Sequence, residues 1–568
     1  MEAGEILFRR GLLDDQQLQQ VRREQNGEGP LWTAVRLGYV REDAALRAIA
    51  EAIGIPYLDT SETEPDVGLL ADFPARFIHR DGLFPVRRDA QSLTIATSDP
   101  FDLYALDEVS AAMGLPISPV LTPRQEIATW IKRHLGVGSE TVEGLLGQSD
   151  DAPIQLLDDI ETDGSELAEL AQEASVIRLV NEILLEAVAA RASDVHIESQ
   201  AHGLAIRYRV DGMLQLQPLP PEIHRFQAAI LSRLKIMARL NIAEKRLPQD
   251  GRMKLRVANR EVDVRVSVIP MLHGEGIVMR ILDKSSIVFE LRQLGMGPTI
   301  YERFLELIQM PHGIVLVTGP TGSGKTTTLY SALLEIRRPE VNIITCEDPV
   351  EYQLEGINQI QVHPKIGLTF AHSLRSILRH DPDVILVGEI RDLETAENAI
   401  QASLTGHLVF STLHTNDAAS AYARLMDMGV ESFLVSSTVE AVMAQRLVRT
   451  LCEHCKRAQQ PARSDLPEDF PHTRAHEMGV PCFIPVGCRQ CRHTGYAGRM
   501  GIYELLPSSN AIRTLAHDRA NTWDLARAAL QEGMVTLRQD GWEKVLQGRT
   551  SVEEVVRVTK GDRVLNHD

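Results

Sequence analysis

The sequence has no long apolar run. Nothing in its 568 residues approaches the roughly 18 consecutive apolar positions that a membrane-spanning helix needs. Any membrane role must therefore pass through a partner. No leader is expected either: the opening MEAGEILFRRGLLDDQQ is polar and acidic, unlike a secretory signal with its apolar centre. The expectation is a cytoplasmic protein. Basic residues are the minority, with Lys+Arg 59 against Asp+Glu 78 and a formal net charge of −19. Such a field repels a phosphodiester backbone, so no nucleic-acid partner is expected. Cysteine is scarce, and six in a cytosolic chain of this length do not make a disulfide framework.

What is present is the composition of a globular protein, 44% hydrophobic and 24% charged. At about 150 residues per domain the chain holds three or four. Residues 1–135 read as a small α/β module. In it RRGLLDDQQLQQVRREQ and RLGYVREDAALRAIAEAIG share a glycine, an acidic helix start and apolar residues at helical spacing. The module contains no catalytic constellation, so partner docking is its expected role. Residues 136–173 are acidic with scattered Gly, Ser and Pro, the composition of a linker. Residues 174–290 read as an α+β domain, opening on a helix with Val176, Leu179, Val180, Ile183, Leu184, Ala187 and Val188 on one face. Strand and helix alternate over 291–450, as in a parallel-sheet nucleotide domain. A cysteine-bearing insertion at 451–500 and a helical tail at 501–568 complete the expected order.

The chemistry concentrates in the alternating region. Gly319, Pro320, Thr321, Gly322, Ser323, Gly324, Lys325 and Thr326 fit GxxxxGK[ST], with Thr327 next in line. Glycines let backbone N–H groups turn toward phosphates, the lysine reaches the β/γ-phosphates, and the Thr326 hydroxyl suits Mg²⁺. The apolar run before the loop and the helical pattern after it supply the required setting. Downstream, NIITCEDPVEY delivers Glu347 to a strand end, and DPDVILVGEIRD delivers Glu389 to another. Carboxylates there can bind Mg²⁺ through its water shell or polarise the attacking water. The run GHLVFSTLHTNDA adds His414 as a γ-phosphate sensor candidate. Cys452 and Cys455, then Cys488 and Cys491, form two CxxC pairs with about 32 residues between them, a spacing suited to structural Zn²⁺. Cys346 and Cys482 fall outside that pattern and read as plain thiols.

Together these elements resemble the secretion ATPase superfamily, and within it the type II secretion and type IV pilus assembly ATPases (the GspE/PilB group). EDPVEYQ matches the family's Asp box, VILVGEIRDLETA its Walker B strand and TGHLVFSTLHTNDA its His box. SDVHIE, RYRVDG and AEKRLPQDGR are further matches in the preceding domain. The likeness covers about 174–560 strongly and 1–135 weakly, and it leans toward type II secretion, with pilus assembly as the alternative. It implies a RecA-like P-loop core, hydrolysis of ATP with Mg²⁺, and a zinc-binding insertion. It also implies a homohexamer attached peripherally to the inner membrane through platform proteins, a GspL-like cytoplasmic domain and a GspF-like protein. By the same resemblance Arg265 and Arg280, and Arg375 and Arg379 of the core, reach the γ-phosphate. Glu347 is implied as general base and Glu389 as the residue at the metal and its water, an assignment that can also be read in reverse.

Overall fold

The computed structural model describes residues 2–25, 29–58, 60, 63–89, 91–135, 154–156, 173–257, 260–283, 290–472 and 482–559. They fall into two compact units, Met1–Ser285 and Ser286–Asp568.

The first unit opens with two helix pairs, Ala3–Arg9 with Asp15–Arg23 and Pro30–Arg36 with Glu42–Ile53. Each pair turns at a glycine of positive φ, Gly11 at 71° and Gly38 at 73°, where a Cβ would be strained. These are the two glycine–helix patterns visible in the sequence. Their apolar faces close over a core that includes Ile6, Leu7, Val21, Leu46 and Ile49. Strands β1 (Phe84–Arg88), β2 (Leu93–Thr97) and β3 (Ile117–Leu121) follow as one small sheet.

The rest of this unit is a seven-stranded sheet. Its strands are β4 (Ile154–Leu156), β5 (Ala192–Gln200), β6 (Gly203–Val210), β7 (Met213–Leu216), β8 (Gln249–Val257), β9 (Arg260–Met271) and β10 (Gly274–Asp283), in the order β4-β8-β9-β10-β5-β6-β7. Alternation along β9 sends Val262, Val264, Val266 and Val268 into the core, and the helices Ala174–Ala189 and Gln227–Met237 pack against that face. Strand β4 lies within the stretch expected to be linker. It adds to the sheet edge by antiparallel pairing from Ile154 opposite Val257 to Leu156 opposite Leu255. The remainder of 136–173, Glu173 apart, lies outside the described residues.

The second unit is built on β11 (Gly313–Thr318), β12 (Ile343–Glu347), β13 (Asn358–Gln361), β14 (Val384–Val387), β15 (Leu408–Leu413), β16 (Val439–Leu451) and β19 (Tyr496–Pro507), with β17 (Arg457–Gln459) and β18 (Cys482–Ile484) paired separately. The order is β13-β12-β14-β15-β11-β16-β19, parallel throughout except for the antiparallel β16–β19 pair. All of β11 is buried, with Ile314 and Leu316 entering one core and Val315 and Val317 the other. Burial on both faces is why the parallel strands read as unbroken apolar runs. The structure is thus the expected α/β core preceded by an α+β domain. The expected boundary at residue 500 falls inside β19: the chain leaves the cysteine region directly into the core sheet. Only beyond Pro507 does it become the helices Asn510–His517, Thr522–Gln531, Leu537–Leu546 and Val552–Val558. Tyr496 to Pro507 read as insertion and tail because their apolar run follows the cysteines directly, while their partner strand lies before them.

Candidate active site and cysteine cluster

Parallel strands direct their C-terminal ends to one edge of a sheet, and ligands of such folds bind there. The motifs converge on that edge. Gly319 follows β11, Glu347 ends β12, Glu389 lies two residues beyond β14 and His414 follows β15. These four strands are consecutive neighbours in the sheet.

The phosphate loop has the form its glycines require. Gly319 (φ 151°) and Gly324 (φ 89°) take conformations closed to other residues, and a Cβ on Gly319 would meet the Ser323 hydroxyl at 2.6 Å. Lys325 begins the helix Lys325–Ile336 and folds its ammonium back over the loop, donating to the carbonyls of Gly319 at 2.8 Å and Pro320 at 3.1 Å. Burial lowers the lysine to about 8, with Glu389 opposing the fall and Arg446 adding to it. The Ser323 hydroxyl is buried with no hydrogen-bond partner among the described residues. Thr321, Gly322 and Thr326 are exposed. An unpartnered donor, glycines at the tight turns of the loop and a cation over it make a set that fits a triphosphate, and the Thr326 hydroxyl is open to a metal.

The two carboxylates sit in different surroundings. Glu347, 4% exposed, accepts from the Tyr330 hydroxyl, from Thr345 Oγ1 at 2.5 Å and from Gln359 Nε2 at 3.2 Å. Burial, and then the charge of Glu347, raise the Tyr330 phenol, so it stays protonated and donates. Glu389 is ion-paired with Arg391, and its other oxygen lies 3.2 Å from His414 Nε2. Glu389 is the carboxylate whose charge acts on Lys325. Cys346, fully buried beside Glu347, is pushed up to about 12 by burial and by that carboxylate, which agrees with a plain thiol.

The predicted arginines divide between the units. Arg375 forms an ion pair with Glu394 at 2.5 Å, and Arg379 donates to the Arg375 carbonyl at 2.5 Å. Both are partly exposed on or just after the helix Phe370–Ile377. Arg265 and Arg280 lie in the first unit, directly opposite each other on β9 and β10, and Arg280 donates to Asp194 at 3.2 Å. Arg252 on β8 stands opposite Arg265 in the same row. Like charges in adjacent register are unfavourable, and this row of three was not singled out from the sequence. Also missed were Tyr330, Gln445 and Arg446. Their signal was polarity inside apolar patterns: GKTTTLYSALLEI for the tyrosine and VEAVMAQRLV for the other two.

The four spaced cysteines come together. The sulfurs of Cys452, Cys455, Cys488 and Cys491 all lie within 4.8 Å of one another. Cys452 to Cys488, Cys455 to Cys491 and Cys488 to Cys491 are each 3.8 Å apart. That is the edge of a tetrahedron with arms of about 2.3 Å, the zinc–thiolate length. Backbone N–H groups of Cys488 and Gly495 point at Cys491 Sγ at 3.1 and 3.2 Å; against the effect of burial they lower that thiol to about 7. The donor set fits Zn²⁺. His454 and His493 are not members of it. Cys482 is buried beside Phe470 and Trp542, apart from the cluster.

The model of the Type II/IV secretion system protein family matches residues 169–557, and that of the MshEN domain matches residues 53–141. Type II secretion system protein E of Xanthomonas campestris pv. campestris is 45% identical over 562 residues, covering 98% of each chain. Type II secretion system protein E of Klebsiella pneumoniae is 53% identical over 402 residues, 70% of this chain and 78% of that one. Type IV pilus assembly ATPase PilB of Myxococcus xanthus is 41% identical over 571 residues, 99% of each chain. With the phosphate loop, the two carboxylates and the histidine on one sheet edge, and a family match over more than half its length, the chain belongs to the Type II/IV secretion system protein family.

Proposed function

We propose that this protein is the ATPase of a type II secretion system, hydrolysing ATP to drive assembly of a pilus-like fibre that carries folded proteins across the outer membrane. The observation that carries this reading is the single sheet edge that gathers the phosphate loop with Ser323 and Lys325, Glu389 and His414, in a chain matched over 98% of its length by a type II secretion protein. Lys325 and the loop N–H groups bind the phosphates. Thr326 and Glu389 would hold Mg²⁺, which neutralises charge on the β- and γ-phosphates. Glu389, whose charge acts on the loop lysine, also takes the role of ordering the nucleophilic water. Glu347, its carboxylate engaged by Tyr330, Thr345 and Gln359, supports the end of β12. Arg265, Arg280, Arg375 and Arg379 supply guanidinium groups to the transferring phosphoryl group. The four cysteines hold Zn²⁺ as a structural clip.

A homohexamer, cytoplasmic and attached peripherally to inner-membrane platform proteins through residues 1–135, completes the proposal. No helix among the described residues is long and apolar enough to cross a membrane, so force reaches the fibre through such partners. The 41% identity to a pilus assembly ATPase over 99% of both chains supports a second reading, in which the same motor extends a type IV pilus. Deletion of the gene, complemented with wild type or Lys325→Ala, separates the two. Loss of extracellular enzymes with pili intact, restored only by wild type, is the expected result. Loss of pili with secretion intact assigns the pilus role instead.

A further inference from the structure

The phosphate loop is held from beneath by one side chain. Gln445 lies on β16, the neighbour of β11, and is 2% exposed. Its amide is used at both ends. Nε2 donates to the Ser323 carbonyl at 2.8 Å, and Oε1 accepts from the Thr328 hydroxyl at 2.8 Å. Ser323 belongs to the loop and Thr328 to the first turn of the helix that follows. One rigid amide plane therefore spans the sharp turn at Gly324. A Cβ on Gly324 would meet Gln445 Nε2 at 2.8 Å, and one on Gly319 would meet the Gln445 carbonyl at 2.6 Å. The loop glycines thus admit Gln445 as well as phosphate. Arg446, 9% exposed, secures the base of this contact. It donates to the Gln445 carbonyl at 2.9 Å and to the Asn416 carbonyl, two residues past His414, at 2.7 Å.

A phosphate cradle binds well when its N–H groups already face inward; ordering them at the moment of binding costs affinity. A primary amide carries a donor and an acceptor on one plane, which is what tying a carbonyl to a hydroxyl across a turn demands. We propose that Gln445 is a positioning residue for nucleotide binding, preorganising the phosphate loop by joining Ser323 to Thr328. The inference rests on the reading of this loop as the ATP site.

Steady-state ATP hydrolysis by the full chain tests it, with Gln445→Met, Thr328→Val, Thr328→Ser and Lys325→Ala beside wild type. Methionine keeps the length of glutamine and removes both hydrogen bonds. The cradle holds phosphates alike in the ground and transition states, so the loss falls chiefly on KM. At roughly threefold to tenfold for each lost hydrogen bond, Gln445→Met is expected to raise KM by about tenfold or more. Thr328→Val should raise it less, and Thr328→Ser should recover what valine loses. A residue that only supports the fold would lower kcat, through fewer active molecules, at unchanged KM. That outcome, or an unmoved KM in both Gln445→Met and Thr328→Val, overturns the proposal. If Gln445→Met does not fold, the Thr328 pair decides: equal KM for valine and serine overturns the brace, and recovery by serine supports it. Turnover that survives Lys325→Ala removes the ATP-site reading, and the proposal with it, whatever the Gln445 variants do.

Discussion

His414 faces Glu389 across the candidate active site, with its Nε2 3.2 Å from one carboxylate oxygen while Arg391 engages the other. The imidazole is half exposed and the carboxylate mostly covered, so the glutamate is fixed and the histidine is the partner free to respond to a ligand. Glu389→Gln keeps the shape and removes the charge. ATP binding should persist while turnover falls by about 10²–10⁴-fold, the range for removing a positioned base. Equilibrium binding beside a phosphate-release assay checks this; loss of binding would mark Glu389 as a support for the loop instead.

Lys325 gives the site a pH dependence. Burial holds it near 8 in the nucleotide-free protein, below the ordinary lysine value, so the unfolded chain binds its proton more tightly. Between about 8 and 10.5, rising pH therefore favours the folded, nucleotide-free state. ATP needs the charged form, so ATP affinity should weaken as pH climbs past about 8. Dissociation constants measured from pH 7 to 9.5 should show the decline in wild type and a flatter profile in Lys325→Arg, whose guanidinium stays charged. A flat wild-type profile would contradict the half-buried placement of Lys325.

Tyr330 and Glu347 form a buried pair in which the phenol donates. Tyr330→Phe withdraws that donor and leaves a carboxylate oxygen under-satisfied in the core, at a cost of about 1–3 kcal/mol. The thermal transition of the purified protein should drop by several degrees. An unchanged transition would mean that Thr345 and Gln359 suffice to hold Glu347.

The cysteine cluster predicts about one Zn²⁺ per chain in protein purified without chelator. Cys488→Ser leaves three thiolates and should release the metal and loosen residues 451–500, with ATP binding retained. Elemental analysis and limited proteolysis give the readouts. A metal-free wild type would sink the assignment.

The chemistry of this chain was legible where it depends on local spacing. The glycine loop, the carboxylates at strand ends and the CxxC pairs each declare themselves within a dozen residues. The parallel core showed as apolar runs because both sheet faces are covered. Contacts between distant segments were not legible. Gln445 meets Thr328 across 117 positions, and nothing near either residue marks the other. The arginine row on β8, β9 and β10 depends on strand register, which alternation alone does not fix. Strand β4 was hidden by an acidic setting, since three residues pairing through their backbone need little in the way of pattern.

Register gives the β16–β19 pair a further meaning. Gln445 stands opposite Tyr503 and Leu451 opposite Tyr496, and the two cysteine pairs adjoin the far end of the same hairpin. Side chains alternate along a strand, so a slip of β16 by one residue against β11 would turn Gln445 away from the phosphate loop. The same slip would draw Cys452 out of step with Cys488 and Cys491. Correct placement of one strand, β16, is thus shared by the phosphate loop, through Gln445, and by the sulfur tetrad, through Cys452 at its end. A metal bound by the four sulfurs would therefore anchor the end of the same strand that braces the phosphate loop.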